Sequence, residues 1–200
     1  MNHYTITKVG GKPQWENIPS LEVNNYQWLP ELDIQMKAQI CYSEEGIHVH
    51  LRAWEQNIRA EHTAPVSMVC EDSCMEFFFR PMEEDLRYFN FEINPNGCTY
   101  IGFGPDMPNL VRLLPQEEDT FLQKSAGLTD GGWEVFFTVP VSMVQVFFPE
   151  FRLTPGKKIY ANCYKCGDET VQPHFISWNY VDVPEPSFHQ PRHFGLMELG

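Results

Sequence analysis

Two glutamates, Glu76 and Glu92, lie in neighbouring stretches of the sequence that both have the composition of β-strands. The stretches cover residues 71–81 and 88–97, and both are rich in aromatic residues, which favour a pleated, half-buried surface. Side chains alternate between the two faces of a strand, so Glu92 and Asn94 point the same way. If the strands pair, Glu76 and Glu92 share one face of a sheet. Two carboxylates in that position can accept hydrogen bonds or work as an acid and a base.

The rest of the chain predicts more short strands to support these two. Alternating or β-rich stretches are found at residues 34–42, 47–54, 98–103, 120–128, 133–140, 157–165, 175–180 and 195–199. Residues 141–146 fit a short helix after Pro140, whereas 104–119 resemble a long loop. We expect a short first strand and then loop over residues 2–28. The pattern predicts an all-β protein, an antiparallel β-sandwich with one or two short helices, in a single domain over residues 1–200.

The composition excludes several classes of partner. The net charge is −13, which disfavours nucleic acid and anionic membranes. No apolar run approaches the length needed to span a membrane. The first residues lack a basic region followed by an apolar one, so we expect a cytoplasmic protein, or a secreted one if a leader has been removed.

The six cysteines include one C-x-x-C, formed by Cys163 and Cys166. A zinc site needs matched ligand pairs, and the sequence has no second C-x-x-C. The motif lies at the end of a predicted strand, so no helix start activates it for redox chemistry. We therefore predict reduced thiols that pack as small hydrophobic groups, with no metal site.

Three segments carry a resemblance to a known family. They are Glu-Asp-Ser-Cys-Met-Glu-Phe-Phe-Phe at residues 71–79, Tyr-x-x-Phe-Glu-x-Asn-x-x-Gly from Tyr88, and a closing stretch through residues 176–199. Together they resemble family 9 carbohydrate-binding modules, and more closely a stand-alone "family 9-like" group with a DOMON-type, jelly-roll-like β-sandwich. The resemblance spans roughly residues 15–199.

The resemblance implies a saccharide site. Characterised family 9 modules hold a terminal sugar between two tryptophans, with help from charged groups on the sheet. One tryptophan position corresponds to Phe188 here, whereas the other falls at Met68 and Val69, where no aromatic residue is present. The charged positions of the sheet correspond to Glu76 and Glu92.

A saccharide ligand needs aromatic rings that stack on its C–H faces, and fixed polar groups that bind its hydroxyls. The predicted carbohydrate-binding residues are Glu76, Glu92, Asn94, Trp178, Phe188 and His189. The expected ligand is the end of a mono- or oligosaccharide, and a separately encoded glycoside hydrolase is the expected protein partner. Some family members bind structural calcium, but no local cluster of oxygen ligands assigns calcium here, and no other cofactor is predicted.

Two other classes remain as alternatives. Retaining glycosidases use two carboxylates about 5 Å apart, a separation that Glu76 and Glu92 could reach as a catalytic pair. Haem is held by Met and His in some DOMON-type domains, but the eight Met and seven His of this chain suggest no convincing pair. We rank a non-catalytic binding module first, a glycosidase second and a cofactor domain third.

Overall fold

The computed structural model describes residues 1–200, which form fourteen strands and two short helices. The strands are β1 His3–Lys8, β2 Ser20–Val23, β3 Asn25–Tyr26, β4 Gln35–Tyr42, β5 Gly46–Trp54, β6 Cys74–Arg80, β7 Tyr88–Ile93, β8 Thr99–Gly104, β9 Val111–Arg112, β10 Ser125–Thr129, β11 Gly132–Pro140, β12 Lys158–Cys166, β13 Phe175–Ser177 and β14 Gly195–Leu199. The helices are α1 Glu118–Phe121 and α2 Val141–Gln145, and four 3-10 turns cover Trp15–Asn17, Val69–Glu71, Met107–Asn109 and Pro191–His193. No helix has the length and apolar character that crossing a membrane requires.

The strands form two sheets that are joined through β1. Sheet A has the order β1-β14-β12-β6-β7-β8-β9, with β13 and then β3 added beside β12. Sheet B has the order β10-β11-β5-β4-β1, and β2 also pairs with β4. β1 is parallel to β14 and to β4, whereas the other pairs are antiparallel. The architecture confirms the predicted all-β sandwich, with a parallel strand at the junction of its sheets.

A large hydrophobic core lies between the sheets. It joins 37 buried residues from both sheets, among them Phe77, Phe79, Phe89 and Phe91 of sheet A and Phe137 of sheet B. Burying a side chain of this size stabilises the fold by roughly 2–3 kcal/mol, so this core is the main source of stability. The inward residues of β6 and β7 are those that the alternation pattern had predicted.

Three predicted loop or strand assignments were wrong. Residues 2–28 contain β2 and β3 in addition to β1, and the stretch 104–119 contains β9. Residues 118–121 form α1 instead of a strand, so the strand predicted at 120–128 begins only at Ser125. Two-residue strands are defined by the partner they pair with, so no sequence pattern marks them.

Candidate functional site

The two predicted carboxylates meet on the outer face of sheet A, the face directed away from sheet B. Glu76 of β6 is directly opposite Glu92 of β7. Tyr164 of β12 flanks Glu76, and Tyr100 of β8 flanks Glu92. The pairing register therefore places a row of Tyr, Glu, Glu and Tyr across four strands, which we call the carboxylate row.

A second row lies beside the carboxylate row. It contains Phe78, Asn90, Gly102 and Arg112, on β6, β7, β8 and β9. A Cβ added to Gly102 would overlap the amide of Asn90, so glycine leaves the space that this side chain occupies. The Arg112 guanidinium lies 3.8 Å above the centre of the Tyr100 ring. The arginine is thus held beside the carboxylates by an aromatic ring.

The closing segment of the chain, residues 181–194, covers part of this face. Phe188 stacks on Tyr164 with ring centres 4.1 Å apart, and its ring centre is 5.5 Å from that of Trp28. The His189 ring lies 5.1 Å from Phe78, and its Nδ1 is 2.7 Å from the hydroxyl of Tyr88. The segment supplies an aromatic wall at one side of the carboxylate row.

The carboxylates are almost fully shielded from water, with exposed fractions of 3% for Glu76 and 6% for Glu92. Glu92 Oε1 accepts a hydrogen bond from Asn90 Nδ2 at 2.7 Å and lies 3.9 Å from His189 Nε2. Burial raises the pKa of Glu92 to about 7. Burial and the neighbouring Glu92 carboxylate raise the pKa of Glu76 well above its usual value. Near neutral pH the pair therefore retains protons that isolated carboxyl groups would lose.

Three buried polar atoms of these two rows have no hydrogen-bond partner. They are Glu76 Oε2, Asn90 Oδ1 and Arg112 Nε. Nearly all buried polar atoms in proteins are partnered, so unpaired ones need a specific explanation. Two acceptors and one donor in the two rows form the complement that a ligand with several hydroxyl groups would satisfy.

Comparison with known proteins identifies the family. The family model of Carbohydrate-binding family 9 matches residues 6–199, almost the entire chain. The chain belongs to carbohydrate-binding family 9. It is therefore a carbohydrate-binding module, and nothing supports the alternative of a glycosidase. No curated protein matches the sequence.

Solved structures agree with the family assignment. A candidate carbohydrate-binding protein from Bacteroides uniformis is 26% identical over 99% of both chains, with a TM-score of 0.84. A family 9 module from Caldicellulosiruptor kristjanssonii, solved in complex with glucose, is 10% identical and has a TM-score of 0.71 over 100% of this chain and 96% of its own. The same organism's module in complex with cellotriose is 11% identical, with a TM-score of 0.70 over 99% of this chain and 93% of its own. The two modules share the fold of this chain.

Four of the six predicted site residues of this family 9 module lie at the carboxylate row, and the other two have different contacts. Glu76 and Glu92 are part of the row, and Phe188 and His189 lie beside it. Asn94 is buried near it, but its Nδ2 donates to the His62 carbonyl at 2.9 Å and to Asp72 Oδ2 at 2.8 Å, while its Oδ1 accepts from the Cys98 amide at 2.9 Å. Trp178 is 5% exposed and packs in the core between the sheets.

The Asp-Ser motif of this family 9 module holds a loop beside the site. Asp72 is paired with the guanidinium of Arg59 and accepts hydrogen bonds from the backbone amides of Glu61 and His62. Burial favours a higher pKa for Asp72, but these hydrogen bonds, with that of Asn94, outweigh it and lower the pKa. Ser73 accepts from the Arg59 amide at 3.1 Å. The motif therefore holds the loop of residues 59–62 in place and has a structural role.

Sequence reasoning missed three members of the site. Arg112 falls in a stretch rich in proline, glycine and acidic residues, where no periodicity marks it. Asn90 and Tyr100 carried a usable signal, because alternation along β7 and β8 places both on the face of Glu92. The sequence did not indicate that the Asn90 side chain would be fully buried.

Proposed function

We propose that this module binds the end of a neutral saccharide at the carboxylate row, with Glu76 and Glu92 as the pair that holds its hydroxyl groups. The observation that carries the proposal is the set of three unpaired buried atoms on Glu76, Asn90 and Arg112. An unpaired buried polar atom costs roughly 1–3 kcal/mol, and a ligand that pairs it recovers much of this cost.

The protonation of the pair suits hydroxyl groups, each of which donates one hydrogen bond and accepts others. The raised pKa values of Glu76 and Glu92 let the pair offer both a carboxyl O–H donor and carboxylate acceptors near neutral pH. Arg112 Nε supplies a further donor. A missing or inverted hydroxyl would leave one of these groups unpaired, and such losses make a polar site selective.

Aromatic rings around the row support stacking of a pyranose. Tyr100 and His189 lie beside Glu92, and Trp28 lies beside Phe188. All three are half-buried, so each ring keeps part of its surface free. The position before the Asp-Ser motif has Met68, which is 48% exposed, where relatives carry one of their two tryptophans. We propose that the ligand stacks on these three rings instead of between two tryptophans.

The ligand class follows from the similar modules that were solved with glucose and with cellotriose. We propose glucose and the ends of cello-oligosaccharides as the first ligands to test. A role beside a separately encoded glycoside hydrolase in polysaccharide breakdown is part of this proposal. The cytoplasmic location stays a prediction from the sequence, and the sequence assigns no calcium site.

The test is calorimetric titration of the whole chain with glucose and with cellotriose at neutral pH. We expect saturable binding by the wild type and a loss of about 10- to 100-fold in affinity for Glu76→Gln, because a hydroxyl partner left unpaired in a buried site costs roughly 1–3 kcal/mol. Glu22→Gln is the matched control. Glu22 pairs with Lys37 on sheet B and is half-exposed, so its removal should not change binding.

Two results would contradict the proposal. Absence of binding across a broad panel of neutral mono- and disaccharides would show that the row does not hold a sugar. Cleavage of an aryl glucoside by the wild type, abolished in Glu76→Gln with affinity retained, would show a hydrolase instead of a binding module.

A further inference from the structure

The C-x-x-C motif is divided between the two faces of β12. Residues three apart on a strand point to opposite faces, so Cys163 enters the core between the sheets while Cys166 lies on the outer face. Cys166 is directly opposite Cys74 of β6. The sequence has no second C-x-x-C, but pairing of β12 with β6 brings a second cysteine, Cys74, next to Cys166.

A carboxylate completes this pair of thiols. Cys166 Sγ lies 3.1 Å from Glu76 Oε1. The two sulfurs and a carboxylate oxygen of Glu76 all lie within 4.8 Å of one another, and the three residues are buried. In tetrahedral zinc sites the bonds are about 2.3 Å to sulfur and about 2.0–2.2 Å to carboxylate oxygen, which separates ligand atoms by roughly 3.5 Å. Small side-chain rotations on two adjacent strands would reach that geometry.

A second observation also indicates a missing ligand. Glu76 Oε2 is buried and has no hydrogen-bond partner, although the carboxyl group belongs to the thiol cluster. The nearest ammonium group, that of Lys165, is bound to Glu55 and His174 on the other side of the sheet. No cation of the chain therefore lies among the three donors. A divalent ion would occupy that position.

We propose that Cys74, Glu76 and Cys166 bind a thiophilic divalent cation of the Zn²⁺ class. Thiolate and carboxylate donors in one tetrahedral set suit Zn²⁺ better than the harder Ca²⁺ or Mg²⁺. Binding replaces the two thiol protons and the proton that the buried Glu76 carboxyl retains, and releases them to solvent, with no change in oxidation state. The earlier prediction of no metal site considered only the spacing of cysteines along the sequence.

Three protein ligands leave a fourth coordination position. Cys70 lies beside it in the turn Val69–Glu71, with its carbonyl oxygen 3.9 Å from Cys166 Sγ and its side chain half-buried. The proposal does not depend on saccharide binding, because it rests on the two sulfurs together with Glu76, and its test detects metal ligands instead of sugar affinity.

The test uses the whole chain, reduced, treated with a chelator and freed of it, and titrated with Co²⁺ as an optical substitute for Zn²⁺. We expect one equivalent of Co²⁺ to give thiolate-to-cobalt charge-transfer absorption with ligand-field bands of a tetrahedral ion, and Zn²⁺ to displace it. Cys74→Ser and Cys166→Ser should lose these bands. Cys163→Ala and Cys41→Ala are the matched controls, since both remove a buried thiol outside the cluster and should retain the bands.

A second measurement covers the case in which the serine variants do not fold. X-ray absorption of the Zn²⁺-loaded wild type should show two sulfur neighbours at about 2.3 Å together with oxygen neighbours at about 2.0–2.2 Å. A zinc shell without sulfur would overturn the proposal, and so would a wild type that retains no metal after gel filtration. Equal Co²⁺ spectra in the folded Cys74→Ser and Cys166→Ser variants would also overturn it.

Discussion

At the scale of single residues, His189 shows how burial sets charge at the carboxylate row. Its ring faces two titratable groups, the Tyr88 hydroxyl at 2.7 Å from Nδ1 and Glu92 Oε1 at 3.9 Å from Nε2. Burial lowers the pKa of His189 to about 4. The ring is therefore neutral at pH 7, and its contact with Glu92 is not an ion pair there.

This low pKa predicts a loss of stability in mild acid. The unfolded chain would bind a proton at His189 near pH 6.5, whereas the folded chain does so only near pH 4, so the stabilising contribution is complete above pH 6.5 and is lost as the pH falls to 4. The full loss is about 3 kcal/mol. Urea unfolding at pH 7.5, 6 and 5 should show a shallower decline for His189→Gln than for the wild type.

His3→Gln is the control for this measurement. His3 is exposed at the start of β1, and its removal should leave the decline with pH unchanged. Parallel curves for the wild type and His189→Gln would show that His189 does not hold a depressed pKa.

At the scale of elements, a buried polar network joins the two sheets. Lys165 of β12 in sheet A donates to His174 Nε2 at 2.8 Å and pairs with Glu55 Oε1 at 3.0 Å. Glu55 follows β5 of sheet B and accepts from Trp133 Nε1 at 2.6 Å and from Ser73 Oγ at 3.0 Å. Each carboxylate oxygen is satisfied, so the charges are tolerated in the interior.

Removing both members of this ion pair should cost less stability than the two single removals added together. Lys165→Met leaves the Glu55 carboxylate buried without its cation, and we expect a loss of about 3–5 kcal/mol in the free energy of unfolding. Lys165→Met with Glu55→Gln should be less destabilised than the sum of the single variants. Urea unfolding in the presence of a chelator measures all four proteins of the cycle.

The exposed pair between Lys37 and Glu22 provides the comparison. Lys37→Met should change the free energy of unfolding by less than about 1 kcal/mol. Additive effects of Lys165→Met and Glu55→Gln would contradict a coupled network between the sheets.

The sequence predicted those parts of the fold and site that a strand period of two determines. The β6–β7 pair and the shared face of Glu76 and Glu92 follow from alternation alone, and the structure confirms both. The sequence did not predict contacts that depend on the register between strands far apart in the chain. Arg112 joins the site through a two-residue strand, and Cys74 meets Cys166 across a pairing that no local pattern encodes.

The partners of a polar side chain were also hidden in the sequence. Asn94 has the residue type and face of a ligand-binding amide, yet its hydrogen bonds go to Asp72 and to the backbone of the loop at His62. Trp178 was predicted beside Phe188, but the chain enters the core at that point. Whether such a residue binds a ligand or has a structural role depends on the conformation of the loops in the folded protein.

At the scale of the whole molecule, the net charge of −13 acts against compactness. Like charges spread over a small surface repel one another, and the repulsion is screened within about 10 Å at 0.1 M salt. A neutral saccharide does not experience this field. Stability and ligand affinity should therefore respond differently to salt.

Raising sodium chloride from about 0.02 to 0.3 M should increase the Tm, because screening weakens the repulsion within the folded chain. The Kd for glucose should change by less than about twofold, because counterions screen charges and the ligand has none. Choline chloride should give the same rise in Tm, which excludes a specific sodium site. A Kd that weakens steeply with salt would indicate a charged ligand instead.

The position of β14 governs when the molecule can fold during its synthesis. Residues 195–199 lie between β1 and β12, at the middle of the continuous strand order from β10 to β9, and they join strands from opposite ends of the sequence. Until this segment has left the ribosome, residues 158–161 of β12 lack a partner on one side and β1 cannot connect the sheets. The phenylalanine-rich strands β6 and β7 therefore stay without a complete sheet until residue 199 emerges. Chaperones that bind such apolar segments have the interval between the synthesis of β6 and that of β14 in which to act.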